Sequence, residues 1–204
     1  MKLTWYGHSC FLLESAEGSV VFDPYAPGSV PGVELPVLTA DAVLCSHGHR
    51  DHGCQEAVTR SGATPRFSVT RIESFHDDRQ GALRGGNTIH VVEAEGLRVA
   101  HLGDLGEALN EAQLAALGKV DVLLIPVGGY YTIDAPTADA AARAVGARLV
   151  VPMHYRGEGF GYDVIAPVED FLALRGDVLR LDGNSLDPAA IDGAATVVLR
   201  CPQK

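Results

Sequence analysis

Along the first hundred residues the apolar positions come in short runs rich in aromatic and β-branched side chains: Lys2–Tyr6, Cys10–Leu13 and Ser19–Phe22, separated by Gly-, Ser- and Glu-containing turns. That pattern predicts an N-terminal β-meander. Between Asp23 and Pro36 the prolines Pro24, Pro27, Pro31 and Pro36 are interleaved with Gly28 and Gly32, a density that disfavours regular structure and predicts a surface loop of the kind that borders sites. The apolar run Ala42–Cys45 then leads into a histidine-rich stretch, followed by Cys54–Arg60, which suits one or two helical turns. Arg66–Val69, Arg71–Phe75, Asn87–Val92 and Arg98–Leu102 again read as strands, with a glycine-rich turn at Gly81–Gly86.

From Leu105 onward the period changes. Glu111–Leu117 has helical spacing and Gly118 stands where a helix stops, while Val122–Pro126 is a continuous apolar run of buried-strand type. Thr137–Val145, preceded by Pro136 and closed by Gly146, repeats the helix, and Leu149–Pro152 repeats the buried strand. A helix near Val168–Leu174 and strands near Val178–Leu181 and Thr196–Leu199 follow. With no repeat, linker or low-complexity tract, 1–204 reads as one domain.

Composition removes several function classes. Lys plus Arg is 16 against 26 for Asp plus Glu, a formal charge of −10, which opposes binding to nucleic acid and to anionic membrane surfaces. A hydrophobic content of 47% with 21% charged residues is that of a globular chain. Met1–Tyr6 lacks the basic and apolar regions of a signal peptide, and no window is apolar for the length of a membrane span, so the expectation is a cytoplasmic protein. Cys10, Cys45, Cys54 and Cys201 form no CxxC pair and are expected as reduced thiols.

The chemistry concentrates in Ser46–His47–Gly48–His49–Arg50–Asp51–His52–Gly53, with three imidazoles and one carboxylate within six residues. If the segment starts extended, His47 and His49 share a face, and the turn through Arg50 sends Asp51 and His52 elsewhere, so two ions can be served. Imidazole and carboxylate without thiolate suit zinc, manganese or iron. The local donors are too few for a closed site, so distant residues must complete it.

His47–x–His49–x–Asp51–His52 after a buried strand resembles the signature of the metallo-β-lactamase superfamily. Trp5–Tyr6–Gly7–His8–Ser9–Cys10–Phe11, His76–Asp77, His101–Leu102–Gly103–Asp104, Pro126–Val127–Gly128–Gly129 with Tyr131–Thr132, and Pro152–Met153–His154–Tyr155 resemble, in order, the branch of L-ascorbate-6-phosphate lactonase-like hydrolases. The resemblance implies an α/β fold, a four-layer αββα sandwich with the site at one edge. It implies that His47, His49 and His76 hold one metal, that Asp51, His52 and His154 hold a second, and that Asp104 bridges them. The implied cofactor is a pair of divalent ions, Zn2+ foremost, with Mn2+, Fe2+ or Ni2+ as alternatives. The implied activity is attack by a metal-held hydroxide on an ester, lactone or phosphodiester of a small molecule.

Other residues carry expectations of their own. His8 is a candidate substrate contact or proton donor. Tyr130 and Tyr131 follow a glycine pair and offer phenolic donors, Tyr131 being taken as catalytic alongside Asp51 and His8. His101 reads either as a residue orienting a ligand or as a buried structural histidine, and His90, in an alternating strand, as a surface histidine. Cys54, two residues beyond His52, reads as a small buried filler. Substrate selectivity is expected from the Asp23–Pro36 loop, the Arg79–Gly86 turn and the Tyr130–Asp134 loop, with Arg50, Arg79, Arg84 and Arg156 as candidate anion contacts. The main alternative is a non-catalytic metal-binding or regulatory module that retains every ligand. A nuclease is opposed by the acidic charge. A diiron redox protein is opposed by the histidine at His49 and the lack of room for a flavin domain.

Overall fold

The computed structural model describes residues 1–202. The chain forms β1 (Lys2–Trp5), β2 (Phe11–Ser15), β3 (Gly18–Phe22), β4 (Leu38–Ala40), β5 (Ala42–Leu44), β6 (Val58–Arg60), β7 (Ser68–Phe75), β8 (Gly86–Ala94), β9 (Leu97–His101), α1 (Glu111–Leu117) and β10 (Val122–Pro126). It continues with α2 (Ala135–Val145), β11 (Leu149–Met153), α3 (Val168–Leu172), β12 (Val178–Arg180), β13 (Ser185–Leu186) and β14 (Ala195–Val198).

Two large sheets result, of order β13-β1-β2-β3-β5 and β12-β14-β11-β10-β9-β8-β7. The alternating first half builds antiparallel pairs, β1–β2–β3 and β7–β8–β9. The continuously apolar runs become parallel strands, β10 between β9 and β11, with every residue of β10 and β11 buried. A strand whose two faces are both covered has no polar positions to alternate with. Trp5, Phe11 and Phe22 of the smaller sheet share one apolar core with Leu123, Val150 and Ile89 of the larger. The helices contact the larger sheet, α1 at β7 and α2 at β10. Two sheets on a shared core, with helices on the larger sheet, are the kind of α/β sandwich that the sequence resemblance implies.

Local chemistry sets the helix ends. Asn110 accepts from the Gln113 amide, and the Gln113 side chain accepts from the Asn110 amide, a reciprocal cap for α1. Asp134 accepts from the Thr137 amide with Pro136 in the first turn, so α2 begins at Ala135, two residues before the apolar period predicts. Gly146 closes α2 in the left-handed region.

Four expectations shift. Arg66–Val69 and Arg71–Phe75 are one strand from Ser68, because β7 is an edge that pairs only with β8 and tolerates exposed Thr70 and Arg71 without a break. Cys54–Arg60 holds a single 3-10 turn at Gln55–Ala57, and Val58–Arg60 then extends to pair with β4. β13, which pairs with β1, has no apolar run to announce it. His90 is buried, since its register partner across the sheet is His101 on the inner face. The four cysteines are free thiols. No helix among the described residues is long and apolar enough to cross a membrane.

Candidate metal centre

β3 and β5 run parallel, and so, across β8, do β7 and β9, followed by β10 and β11. Their C-terminal ends meet at one rim of the two sheets. Asp23 follows β3, the 46–52 segment follows β5, His76 follows β7, Asp104 follows β9 and His154 follows β11. Strand ends fix side chains on a rigid frame while leaving one side open.

Asp104 Oδ2 is the hub. His52 Nε2 lies 3.2 Å away, His154 Nε2 3.3 Å, His76 Nε2 3.4 Å and His47 Nε2 4.0 Å. His49 joins through ring contacts with His47 and His76, at centroid distances of 4.6 and 5.3 Å. Asp51 Oδ2 lies 3.9 Å from His52 Nε2. The structure thus brings all seven predicted ligands to one place. Donor atoms within 4.8 Å of one another fall into three groups: His47, His49 and His76; His47, His52 and Asp104; and His8, His52 and His154.

The donor set suits cations. Among the described residues, His47 Nε2, His52 Nε2, His76 Nδ1, His154 Nδ1, Asp104 Oδ1 and both nitrogens of His8 are buried without a hydrogen-bond partner. Of these, His47 Nε2 and His52 Nε2 face the hub, and an ion there would satisfy them; His76 and His154 turn Nε2 inward, so their Nδ1 atoms lie on the far side of the ring. Burial pushes the His47 imidazole down to about 4 and that of His8 down to about 3, so both are neutral and keep a lone pair for a cation. Burial alone would raise the Asp104 carboxyl, but His154 and His52 outweigh it and hold the group well below the usual carboxylate range.

A second layer sets the ligand angles. Asp23, fully buried, accepts from the Ser46 amide and the Ser46 hydroxyl, each at 2.6 Å, and from His52 Nδ1 at 2.9 Å. With Nδ1–H committed to Asp23, His52 presents Nε2 to the centre. The Ser46 hydroxyl also lies 2.9 Å from His47 Nδ1. Asn87 accepts from the Asp104 amide at 2.9 Å and donates to the Leu102 carbonyl at 2.9 Å. Gly103 sits at φ +57°, where an added Cβ would lie 2.4 Å from Ser46 Cβ, so only glycine lets β9 turn here. His101 donates Nε2–H to the Ser9 carbonyl and accepts the Gly103 amide at Nδ1. Both its nitrogens are therefore used in ordering the turn, and it carries no lone pair towards the centre.

Above the hub lies a cavity of about 270 Å³, lined by His49, Asp51, His76, Arg84, Asp104, Tyr131, His154 and Tyr162. Tyr131 thus faces it, whereas His8 lies beneath, 3.4 Å from Asp51 Oδ2 and with its ring 4.0 Å from that of His154. Tyr130 is 65% exposed and outside the lining. Tyr162 donates to the Ser29 carbonyl and also lies 3.3 Å from Asp51 Oδ2. Sequence reasoning passed over both Asp23 and Tyr162. Asp23 sits in a loop where aspartate is common, and the signal for Tyr162 is no more than the glycine-rich 157–161 stretch before it. A larger recess of about 670 Å³ lies behind Ser46 and Asn87, between β7 and α1, and is lined by none of the clustered histidines.

The description of a beta-lactamase superfamily domain matches residues 2–154, which hold the whole cluster. The chain belongs to the beta-lactamase superfamily. A relative from Methanoregula boonei, named UPF0173 metal-dependent hydrolase, is 34% identical over 189 residues, covering 76% of this chain and 82% of the relative. A second of that name, from Thermoplasma acidophilum, is 28% identical over 87% of this chain and 92% of its own. A solved structure from Thermotoga maritima, whose name places it with the Zn-dependent hydrolases of the metallo-beta-lactamase superfamily, superposes with a TM-score of 0.79 at 35% identity, covering 97% of both chains. The metallo hydrolase Igni18 from Ignicoccus hospitalis shares the fold, at a TM-score of 0.63 and 21% identity over 100% of this chain and 96% of its own.

Proposed function

We propose that this superfamily member is a metal-dependent hydrolase of small-molecule esters, lactones or phosphodiesters, acting through two divalent cations, zinc foremost. The observation that carries the reading is Asp104 Oδ2 within 4.0 Å of four imidazole nitrogens, which supports a carboxylate placed between two sets of ligands. His47, His49 and His76 would hold one ion, Asp51, His52 and His154 the other, and Asp104 both. The names of the relatives support hydrolysis, and the Trp5–Phe11 motif supports including cyclic esters among the substrates. Bound there, such ions act as Lewis acids and bring the pKa of water towards 7.

The protein's own groups supply the rest. Asp23 fixes the tautomer and angle of His52. Tyr162 Oη and His8 Nε2 both lie beside Asp51 Oδ2, at 3.3 and 3.4 Å. Neutral and enclosed, His8 is suited to positioning Asp51 rather than to delivering a proton to the cavity. The Tyr131 phenol lines the cavity and is placed to give a proton to a leaving oxygen. No serine or cysteine nucleophile is required.

The test is elemental analysis of the purified protein with initial rates on activated esters, lactones and phosphodiesters. About two metal equivalents per chain and turnover that is lost in a folded His49→Ala variant fit a two-metal hydrolase. Full metal loading with no turnover across the panel would instead favour a binding module on the same fold.

A further inference from the structure

We infer that the cavity above the metal centre takes substrates through a small oxyanion, a carboxylate or phosphate group seated on Arg84; the turnover arm of its test rests on the hydrolase reading above.

Arg84 is held in place from both ends. Asp77, buried next to the ligand candidate His76, accepts four backbone amides, those of Arg79 and Gly81 on one oxygen and those of Leu83 and Arg84 on the other. One carboxylate therefore folds the 79–84 loop into a fixed shape beside the centre. From that loop the Arg84 side chain crosses to the Tyr130–Asp134 loop. Its Nη2 donates to the Tyr130 carbonyl at 3.0 Å, and its guanidinium carbon lies 5.6 Å from the centre of the Tyr131 ring.

These anchors leave most of the guanidinium fork uncommitted, since arginine carries five N–H donors. Arg98, Arg143, Arg175 and Arg180 are paired with acids; Arg84 shares its lack of an ion pair with the other described arginines, but it is the arginine that lines the cavity above the centre. In a chain of formal charge −10, a fixed, unpaired arginine lining a cavity is a selective feature rather than a solvated one. The two acids in the same lining, Asp51 and Asp104, face imidazoles, which leaves the fork free for a ligand. On its other side Arg84 borders a recess lined by Asp77, Asp78 and Asp134, which repels anions, so the receptive side is the one facing the metal centre.

Size and shape narrow the ligand. At about 270 Å³ the cavity lies at the small end of ligand sites, which favours a compact group beside the centre. Tyr131 and Tyr162 stand 6.0 Å apart, ring centre to ring centre, and wall it. The substrate fitting this space is a compact ester or lactone with one anionic group a few bonds from the scissile centre. Arginine pairs with carboxylate and phosphate through two parallel hydrogen bonds, which lysine cannot reproduce.

The experiment compares kcat/KM for the 4-nitrophenyl monoester of succinate with that for neutral 4-nitrophenyl acetate, in the metal-loaded protein and its Arg84→Met and Arg84→Lys variants. Metal content and melting temperature serve as folding controls. The ratio of anionic to neutral ester should fall by about tenfold in Arg84→Met, chiefly through KM, with partial recovery in Arg84→Lys. A ratio unchanged by both substitutions overturns the proposal and leaves the hydrolase reading standing. Competition by glutarate and by glycerol phosphate separates a carboxylate site from a phosphate site. If neither ester is turned over, the hydrolase reading is decided by the wider panel of lactones and phosphodiesters, and calorimetric titration of both anions into wild type and Arg84→Met decides this proposal alone. Binding weakened by about tenfold supports it, and equal binding overturns it.

Discussion

The bodies of β10 and β11 and the ends of the strands around them follow opposite rules. In the bodies every residue is apolar and buried and the strands pair with one another. At the ends, buried nitrogens and oxygens lack partners, and the backbone takes conformations that side chains disfavour. Among the described residues six non-glycine positions have positive φ: His8, Asp23, Gln80, Glu95, Tyr130 and His154. Three of these, His8, Asp23 and His154, belong to the centre, and Gln80 and Tyr130 to the loops that Arg84 joins. Each such residue costs on the order of 1–3 kcal/mol. The bodies therefore supply the stability that the rim consumes, and the same chain separates the two roles by a few residues along each strand.

The largest effect expected is at the hub. Asp104→Asn should lower metal content and reduce hydrolysis by about a thousandfold or more, because it removes the charge shared by both ligand sets. Retained stoichiometry and rate would show that the rim does not depend on Asp104. Next, Leu124→Ala in the body of β10, fully buried, should cost about 2–5 kcal/mol in a denaturant titration. Metal stoichiometry at a temperature where the protein is folded should not change. Loss of metal in that folded variant would break the division between body and rim.

A smaller effect is expected one layer out from the ions. Asp23→Asn keeps the size of the side chain but weakens the hold on His52, and chelator competition should show metal affinity reduced by about 10- to 100-fold. An unaltered affinity would reduce the Asp23–Ser46–His52 network to a packing device. The smallest effect lies away from both regions. Glu169 on α3 meets Arg180 on β12 with both side chains more than half exposed, and Glu169→Gln should lower stability by no more than about 1 kcal/mol, with metal content untouched.

How far the sequence could be read follows the same division. Val122–Pro126 and Leu149–Pro152 announce themselves because a strand buried on both sides is apolar at every position, and the boundaries agree with β10 and β11 to within one residue. The HGHRDH segment was conspicuous because histidine is seldom clustered. Asp23 was not, because its importance comes from Ser46 and His52, 23 and 29 positions away. Tyr162 meets Asp51 across 111 positions. His90 was misplaced because a two-residue alternation reveals two faces without saying which one a second sheet will cover. Local pattern identifies elements, whereas partnership over long separations is created only by the topology.

Each ligand set draws on both sheets. His47, His49 and His52 follow the smaller sheet, while His76, Asp104 and His154 follow the larger. An ion gripped by both acts as a clasp across the seam of the sandwich, so ion affinity and closure of that seam form one thermodynamic quantity. With ions bound there, a chelator would loosen one edge of the sandwich, and a packing change that slides the sheets past each other would alter ion affinity.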